Sequence, residues 1–489
     1  MWLKSAISLQ MVRFQRAFSM TKYKRNNVLG GILAAALLGA MAIPAHAETL
    51  AGALARAYQH NPELNAARAG LRATDEGVPQ ALAGYRPTVT GTGSVTATSL
   101  RLRPDGMANN DGSNTQSVLQ VEVRQPLFRG FQTQNSVAQA EAAVAAGRSG
   151  LDNTEQNIFV SAVQAYMDVL ADRAILRLRE QNVAFLDEQV RAARARFDVG
   201  EGTRTDVAQA NARRAFALAQ VSAARAALTT SNAVYRQVIG NDPGQLVTPS
   251  PLTRGIPATL QGALDNALAT HPAIVAARAN IDVAQSAVAI AEGALLPSLD
   301  FVGTARRSWQ EGGTGAGGPN DSLSASLQLS VPIYQAGRAS SQVRQSIETL
   351  GQRRLELDVS REQVRAAIYS AFGGLEAARA QIESSAAEVA ASRIALDGTI
   401  EEQRVGQRTT LDVLDSQEDV ITARINEINA RRDLVVASYS LASALGRLSA
   451  EELGLQVAQY NPTEHYDAVR DRWHGLRTPD GRGGVIFGD

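Results

Sequence analysis

Residues 322–331, SLSASLQLSV, alternate strictly: Leu323, Ala325, Leu327, Leu329 and Val331 fall on one face, and Ser322, Ser324, Ser326, Gln328 and Ser330 on the other. A period of two predicts a β-strand with one apolar face. Residues 117–125 repeat it, with Leu119, Val121 and Val123 opposite Gln120, Glu122 and Arg124. Each strand follows a weaker partner, at 87–99 and 297–309, across loops at 104–115 and 311–320 that are rich in Gly, Asn and Asp. Two β-hairpins are therefore expected, at 87–125 and 297–331.

Elsewhere the period changes to seven. Val169, Leu176, Val183, Val190 and Phe197 form one series, and Ile368, Leu375, Ile382, Val389 and Leu396 a second. A seven-residue apolar repeat predicts left-handed coiled-coil packing against a neighbouring helix. The helices that carry these seams run over 131–199 and 339–405, each on the order of 100 Å at 1.5 Å per residue. Gly200 and Gly406 end them, and new helices run back from 203 and 409. The result is two long helical hairpins, at 131–239 and 339–446.

The hairpins correspond because the chain is written twice. Residues 49–71 align with 259–281 at an offset of 210, placing Pro62 on Pro272 and Arg68 on Arg278. After the strand loops the offset becomes 206, which sets VRQPLF (123–128) against LSVPIY (329–334) and VGEGTRTDV (199–207) against VGQRTTLDV (405–413). The change falls in a polar loop, where length varies at least cost. The first repeat is expected at 48–258, including a Pro-rich linker at 241–257, and the second at 259–454. A tail, 455–489, is expected to be partly without fixed structure.

Composition narrows the setting. There is no cysteine, which excludes disulfides, thiolate chemistry and an acylated lipoprotein cysteine. Residues 1–47 carry six basic residues and no acidic one, leaving 42 basic against 48 acidic residues from Glu48 onward. A mildly acidic remainder gives no reason to expect nucleic acid. KYKRNN (22–27), the apolar run 28–43 and Ala45-His46-Ala47 predict a secretory leader over 1–47, cut before Glu48. No later apolar stretch near 18 residues is apparent, so no membrane helix is expected beyond the leader. The alternating strands instead match the transmembrane β-barrel pattern. Four strands cannot close such a barrel, and open edges do not exist in lipid, so several chains must share one.

With the duplication, the QPLF and VPIY strand ends and the turns FDVGEGTRTDV and VGQRTTLDVLDSQ in view, the chain resembles the TolC-type outer-membrane channel-tunnel family over nearly all of residues 48–489. The resemblance implies a mainly α fold with a β-barrel portion: a homotrimer whose twelve-stranded barrel sits in outer-membrane lipid above a periplasmic helical tunnel. It implies a periplasmic adaptor protein and an inner-membrane ABC- or RND-type transporter as partners. The implied function is an exit duct for small toxic compounds or secreted proteins, with no enzymatic activity and no cofactor. The missing lipoprotein cysteine leans towards channels serving protein secretion or several pumps.

The repeated turn then has two readings. In one, Thr203 and Thr409 are helix N-caps, with Asp206 and Asp412 completing capping boxes. In the other, carried by the resemblance, the tips form a periplasmic gate. Asp412 and Asp415 would project into the pore as carboxylate rings able to attract cations, and no resident metal is implied. Arg408 would tie its hairpin to the Thr205–Asp206 turn. Gln403 stands where the family prototype has a tyrosine in this lock. The tips Val199, Gly200, Val405 and Gly406 would dock the adaptor. His60 and His271 are expected to be cap or loop residues, and Asp187-Glu188 and Glu401-Glu402 solvated faces. Trp309, at a strand end, suits an interfacial anchor. An adaptor or a structural coiled-coil protein of an export complex is the alternative, but an adaptor would show one hairpin rather than two.

Overall fold

A computed structural model describes residues 47–102, 110–257, 259–311 and 318–480. The leader expected at 1–47, all but Ala47, lies outside the described residues. So do the centres of both strand loops and the last nine residues.

Thr49 opens α1 (Leu50–His60) by accepting the Gly52 N–H, and Asn61 opens α2 (Pro62–Asp75), where Pro62 supplies a preset φ at the first helical position. A short α3 (Gly77–Leu82) leads to β1 (Thr88–Leu102) and β2 (Asn110–Arg129). The chain then enters α4 (Gln132–Asp198), turns, and returns as α5 (Arg204–Ile239). The second repeat follows the same order: α6 (Leu260–Thr270), α7 (Pro272–Gly293), β3 (Ser298–Glu311), β4 (Pro319–Ser330), α8 (Arg338–Arg404) and α9 (Thr410–Ala444). A final short helix, α10 (Glu464–Val469), lies in the tail.

Both long helices have 67 residues. Each return helix is about half as long, 36 residues in α5 and 35 in α9. It therefore covers only the lower half of its partner, the half nearer the tip. Above it, α7 packs between α4 and α8, and α1 to α3 pack on α4. The heptad seam faces inward at Val169, Val190, Ile368, Leu375 and Val389. It fails at Phe197, 45% exposed, where α4 ends one residue later.

Three apolar clusters hold the helices. The largest, at the level where α5 ends, joins Leu54, Phe159, Tyr166, Tyr235, Ile239 and Leu448. Full burial contributes about 1.5–3 kcal/mol for a side chain such as Phe159 or Leu54. A second joins Leu264, Ile274, Ile368 and Leu441, and a third, near the tips, joins Leu186, Val190, Ala210 and Leu414.

The four strands form one antiparallel sheet in the order β1-β2-β3-β4. The register places Gly91, Val121, Ala305 and Leu323 in one row and Val89, Val123, Gly303 and Ala325 in the next. Most apolar positions of the four strands thus share a face, Val118 and Val302 lying on the other, and Leu323, Leu327 and Leu329 are exposed on the shared face, Leu323 at 87%. The opposite face carries Thr90, Glu122, Thr304 and Ser324. Trp309 pairs with Pro319 at the loop end of the apolar face. Gly130 and Gly293 join sheet to helices: Gly130 has φ +56°, and a Cβ built there would lie 2.3 Å from the Gly293 oxygen.

Three expectations are corrected. The loop between the first two strands is shorter than 104–115, because the ladder runs on through Thr98↔Asn114 and Ser99↔Ser113 to Leu102↔Asn110. Backbone pairing overrides the turn preference of Asn and Ser there. The second loop is shortened likewise by Pro319 and Asn320, which belong to β4. The segment Leu260–Gly293 reaches the length and apolarity of a membrane span, against the expectation that none follows the leader. It is split by Pro272 into α6 and α7, and α7 packs along α4 and α8. The tail, expected to be partly without fixed structure, is packed as far as Trp473, and its last nine residues lie outside the described ones. Leu455 and Tyr460 join the main core, His465 meets Asp75, Arg470 meets Glu141 and Trp473 stacks on Arg86.

A candidate gate at the hairpin tips

Both tips are built alike. Val199 and Val405 cap the long helices, and Gly200 (φ +82°) and Gly406 (φ +78°) turn the chain through the left-handed region that side chains disfavour. Glu201 N–H reaches back to the Arg196 oxygen at 2.8 Å, and Gln407 N–H to the Glu402 oxygen at 2.9 Å. Thr203 then caps α5: its N–H and hydroxyl donate to Asp206 Oδ2 at 2.9 and 2.6 Å, and its Oγ1 accepts the Asp206 N–H at 3.2 Å. Thr409 and Asp412 repeat this at 2.8, 2.9 and 3.2 Å. Hydrogen bonds from Thr203 hold the Asp206 carboxyl below the usual range, and those from Thr409 do the same for Asp412. Thr205, one residue before Asp206 in the first turn of α5, is exposed.

The tips differ where the repeats differ. Arg408 stands where the first repeat has Gly202, and Glu402 where it has Arg196. Arg408 Nε donates to Glu402 Oε2 at 2.9 Å, which raises the arginine further. The expected bridge from Arg408 to the Thr205–Asp206 turn is not the contact made within the chain. Glu402 is nearer in sequence, and Asp206 Oδ2 already accepts two bonds from Thr203. Gln403 Nε2 donates to Thr410 Oγ1 at 3.2 Å, tying the end of α8 to the start of α9.

The two hairpins are joined above the tips, between the first turns of α9 and points further up α4 and α5. Arg213 on α5 pairs with Asp415 on α9. Arg179 on α4 pairs with Glu418 at 3.1 Å, and Gln417 Nε2 donates to Asn182 Oδ1 at 3.0 Å, both residues being buried. Asp415 is thus engaged by a cation rather than bare, and Asp412 is spent on its cap. Sequence reasoning missed these ties because the partners lie more than 200 residues apart and follow no period. The acidic pairs expected as solvated faces are partnered too: Asp187 with Arg214, Glu188 with Arg191 and Glu401 with Arg404. Val199 and Val405 remain uncovered, 72% and 71% exposed.

An apolar-faced sheet of four strands set on paired helical hairpins about 100 Å long defines a membrane-anchored helical duct. The sequence model described as Outer membrane efflux protein matches residues 53–241 and 263–447, breaking at the linker between the repeats. The chain belongs to this family. It is 48% identical over 454 residues to the outer membrane efflux protein BepC of Brucella suis biovar 1 (strain 1330), covering 92% of this chain and 97% of that one. It is 26% identical over 419 residues to the outer membrane protein TolC of Escherichia coli (strain K12), covering 83% and 84%. The crystal structure of the Campylobacter jejuni CmeC outer membrane channel shares the fold, with a TM-score of 0.70 over 86% of this chain and 89% of that one at 14% identity. The protein's place is the cell outer membrane, where it serves as an exit duct for export.

Proposed function

We propose that three copies of this chain close a twelve-stranded barrel in the outer membrane and hang a single helical tunnel into the periplasm. One observation carries this: β1 and β4 each have one unpaired edge, and the sheet is antiparallel throughout. With four strands per copy, β4 of one copy runs opposite to β1 of the next and can continue the ladder. Two copies would give eight strands, whose interior side chains alone fill. Three is the smallest number that leaves an open lumen. Sedimentation in detergent should return the mass of three chains, and a species of one or two chains would overturn the reading.

In this reading the apolar face meets lipid and the Thr- and Ser-rich face lines the pore. The tips, with Val199, Gly200, Val405 and Gly406 outermost, dock a periplasmic adaptor that connects the duct to an inner-membrane ABC- or RND-type transporter. The cargo is small toxic compounds, secreted proteins or both. Asp412 and Asp415 give three chains six carboxylates near the narrow end, partly offset by Arg213 and Arg408. Their ionised rings attract cations at the constriction. In planar bilayers, Asp412→Ala with Asp415→Ala should weaken block by divalent cations. Unchanged block would reduce these residues to a cap and a helix tie.

A further inference from the structure

Glu48, the first residue after the expected cleavage point, occupies a built seat. Its N–H donates to the Gln245 oxygen at 2.6 Å, and its carbonyl accepts the Val247 N–H at 3.0 Å, forming a parallel bridge with the linker between the repeats. The Tyr166 hydroxyl lies 2.7 Å from both the Glu48 and Val247 oxygens and can donate to either. The Glu48 side chain is 8% exposed and accepts from Arg56 at 3.1 Å. Arg173 fixes the adjoining linker by donating to the Pro243 and Gly244 oxygens at 2.8 and 2.6 Å. Burial pushes the Tyr166 hydroxyl up to about 12 and raises Tyr235, beside the Glu48 carboxylate, as well. Both phenols therefore stay protonated.

The sequence adds an independent fact. The only lysines are Lys4, Lys22 and Lys24, and every cation from residue 48 onward other than histidine is an arginine. After a cut between Ala47 and Glu48, the new α-amino group is the only primary amine in the protein.

We propose that this pocket is a binding site for the α-ammonium group released by processing, and that it shields the scissile bond whenever it fills before the cut. The proposal rests on the cleavage expected from the sequence. A peptidase must take the residue after the scissile bond into its own cleft as extended chain. In the seat, both backbone groups of Glu48 are already bonded and its side chain is enclosed. Reaching the bond would require lifting Glu48 off the linker, a local opening that strips at least three hydrogen bonds. A precursor that docks first is therefore protected from the peptidase. The mature terminus pins the linker, and with it the junction of the two repeats, against α4 and α5.

The test uses the chain's single amine. The purified native protein is treated with a water-soluble amine-reactive biotin ester, and an equal sample is treated in denaturant. Label on the native form should stay below a tenth of the one label per chain found after denaturation. Tyr166→Phe should speed native labelling tenfold or more. Equal labelling of native and denatured wild-type protein would overturn the seat while leaving the cleavage reading intact. An amino terminus other than Glu48, or several labels per chain from retained lysines, would overturn both. For the shielding, full-length precursor folded in detergent should resist signal peptidase, whereas precursor diluted directly from urea into the enzyme should be cut. Equal rates would sink the claim that the filled seat shields the bond.

Discussion

His271 in the second repeat stands where Asn61 stands in the first, and the two side chains make equivalent bonds. Asn61 Oδ1 accepts the Glu63 and Leu64 N–H groups at 2.9 and 3.1 Å, while its Nδ2 donates to the Val238 oxygen at 2.9 Å. His271 Nδ1 accepts the Ala273 N–H at 3.1 Å, and its ring donates to the Ser443 backbone. Accepting at Nδ1 while donating at Nε2 requires the neutral ring, and burial holds the imidazole below its ordinary 6.5. A depressed folded pKa means this cap is complete above 6.5 and is lost as the pH falls through the lower folded value. A cap of this kind contributes about 1 kcal/mol. His271→Asn, the residue used by the first repeat, should preserve the neutral-pH melting temperature and flatten its decline between pH 7 and 5. An unchanged pH profile would show that His271 does not titrate in this role.

The ties between hairpins should differ sharply in strength. Asp415→Ala breaks an exposed pair with Arg213 and should cost about 0–1 kcal/mol, less in high salt. Gln417→Leu leaves buried Asn182 without its partner and should cost about 1–3 kcal/mol. Denaturant melts of both variants at low and high salt would show it. Equal costs would mean that burial does not rank these contacts.

Acid should fray both tips. The Asp206 and Asp412 carboxyls are held below the ordinary value of 3.8, so their capping is present above it and is lost as pH falls through the depressed folded values. Asp206→Asn and Asp412→Asn imitate the protonated forms. Each should raise cleavage by a neutral protease severalfold, at 199–203 and 405–409 respectively. Cleavage that stays at the wild-type rate would show that the glycine turns alone hold the tips.

The sheet can be tested one residue at a time, because the chain has no native cysteine. Cysteines at Ser326 and Gln328 should react with a water-soluble thiol reagent in the reconstituted channel. Those at Leu327 and Leu329 should react only with a lipid-soluble one. The same labelling at all four positions would refute the assignment of faces.

Much of this architecture was legible because its signals are periodic. The seven-residue seam placed both long helices to within a residue or so, and the period of two placed two strands, whose weaker partners followed from the turn-rich loops between them. Repetition also marked Thr203 and Thr409 as caps. What stayed hidden is aperiodic and distant in sequence, such as the Asn182–Gln417 bond and the packing of Tyr460 and His465 on the first repeat. Arg408 pairs with Glu402 within the chain, a contact that no period announces, and its tie to the Thr205–Asp206 turn stays a proposal carried by the resemblance.

The equal length of α4 and α8 makes the hairpins a ruler. The distance from the sheet to the tips is stored as a residue count, at 1.5 Å per residue, and no loop can stretch to absorb a change. Deleting seven residues would keep the seam in register only if matched in the lower half of α4 and in α5, α8 and α9 together. That deletion would retract every tip by about 10 Å. The same deletion in a single helix would instead slide one wall past its neighbour by two turns, about 10 Å. The reach of this duct can therefore change only in heptads, across all four helices at once.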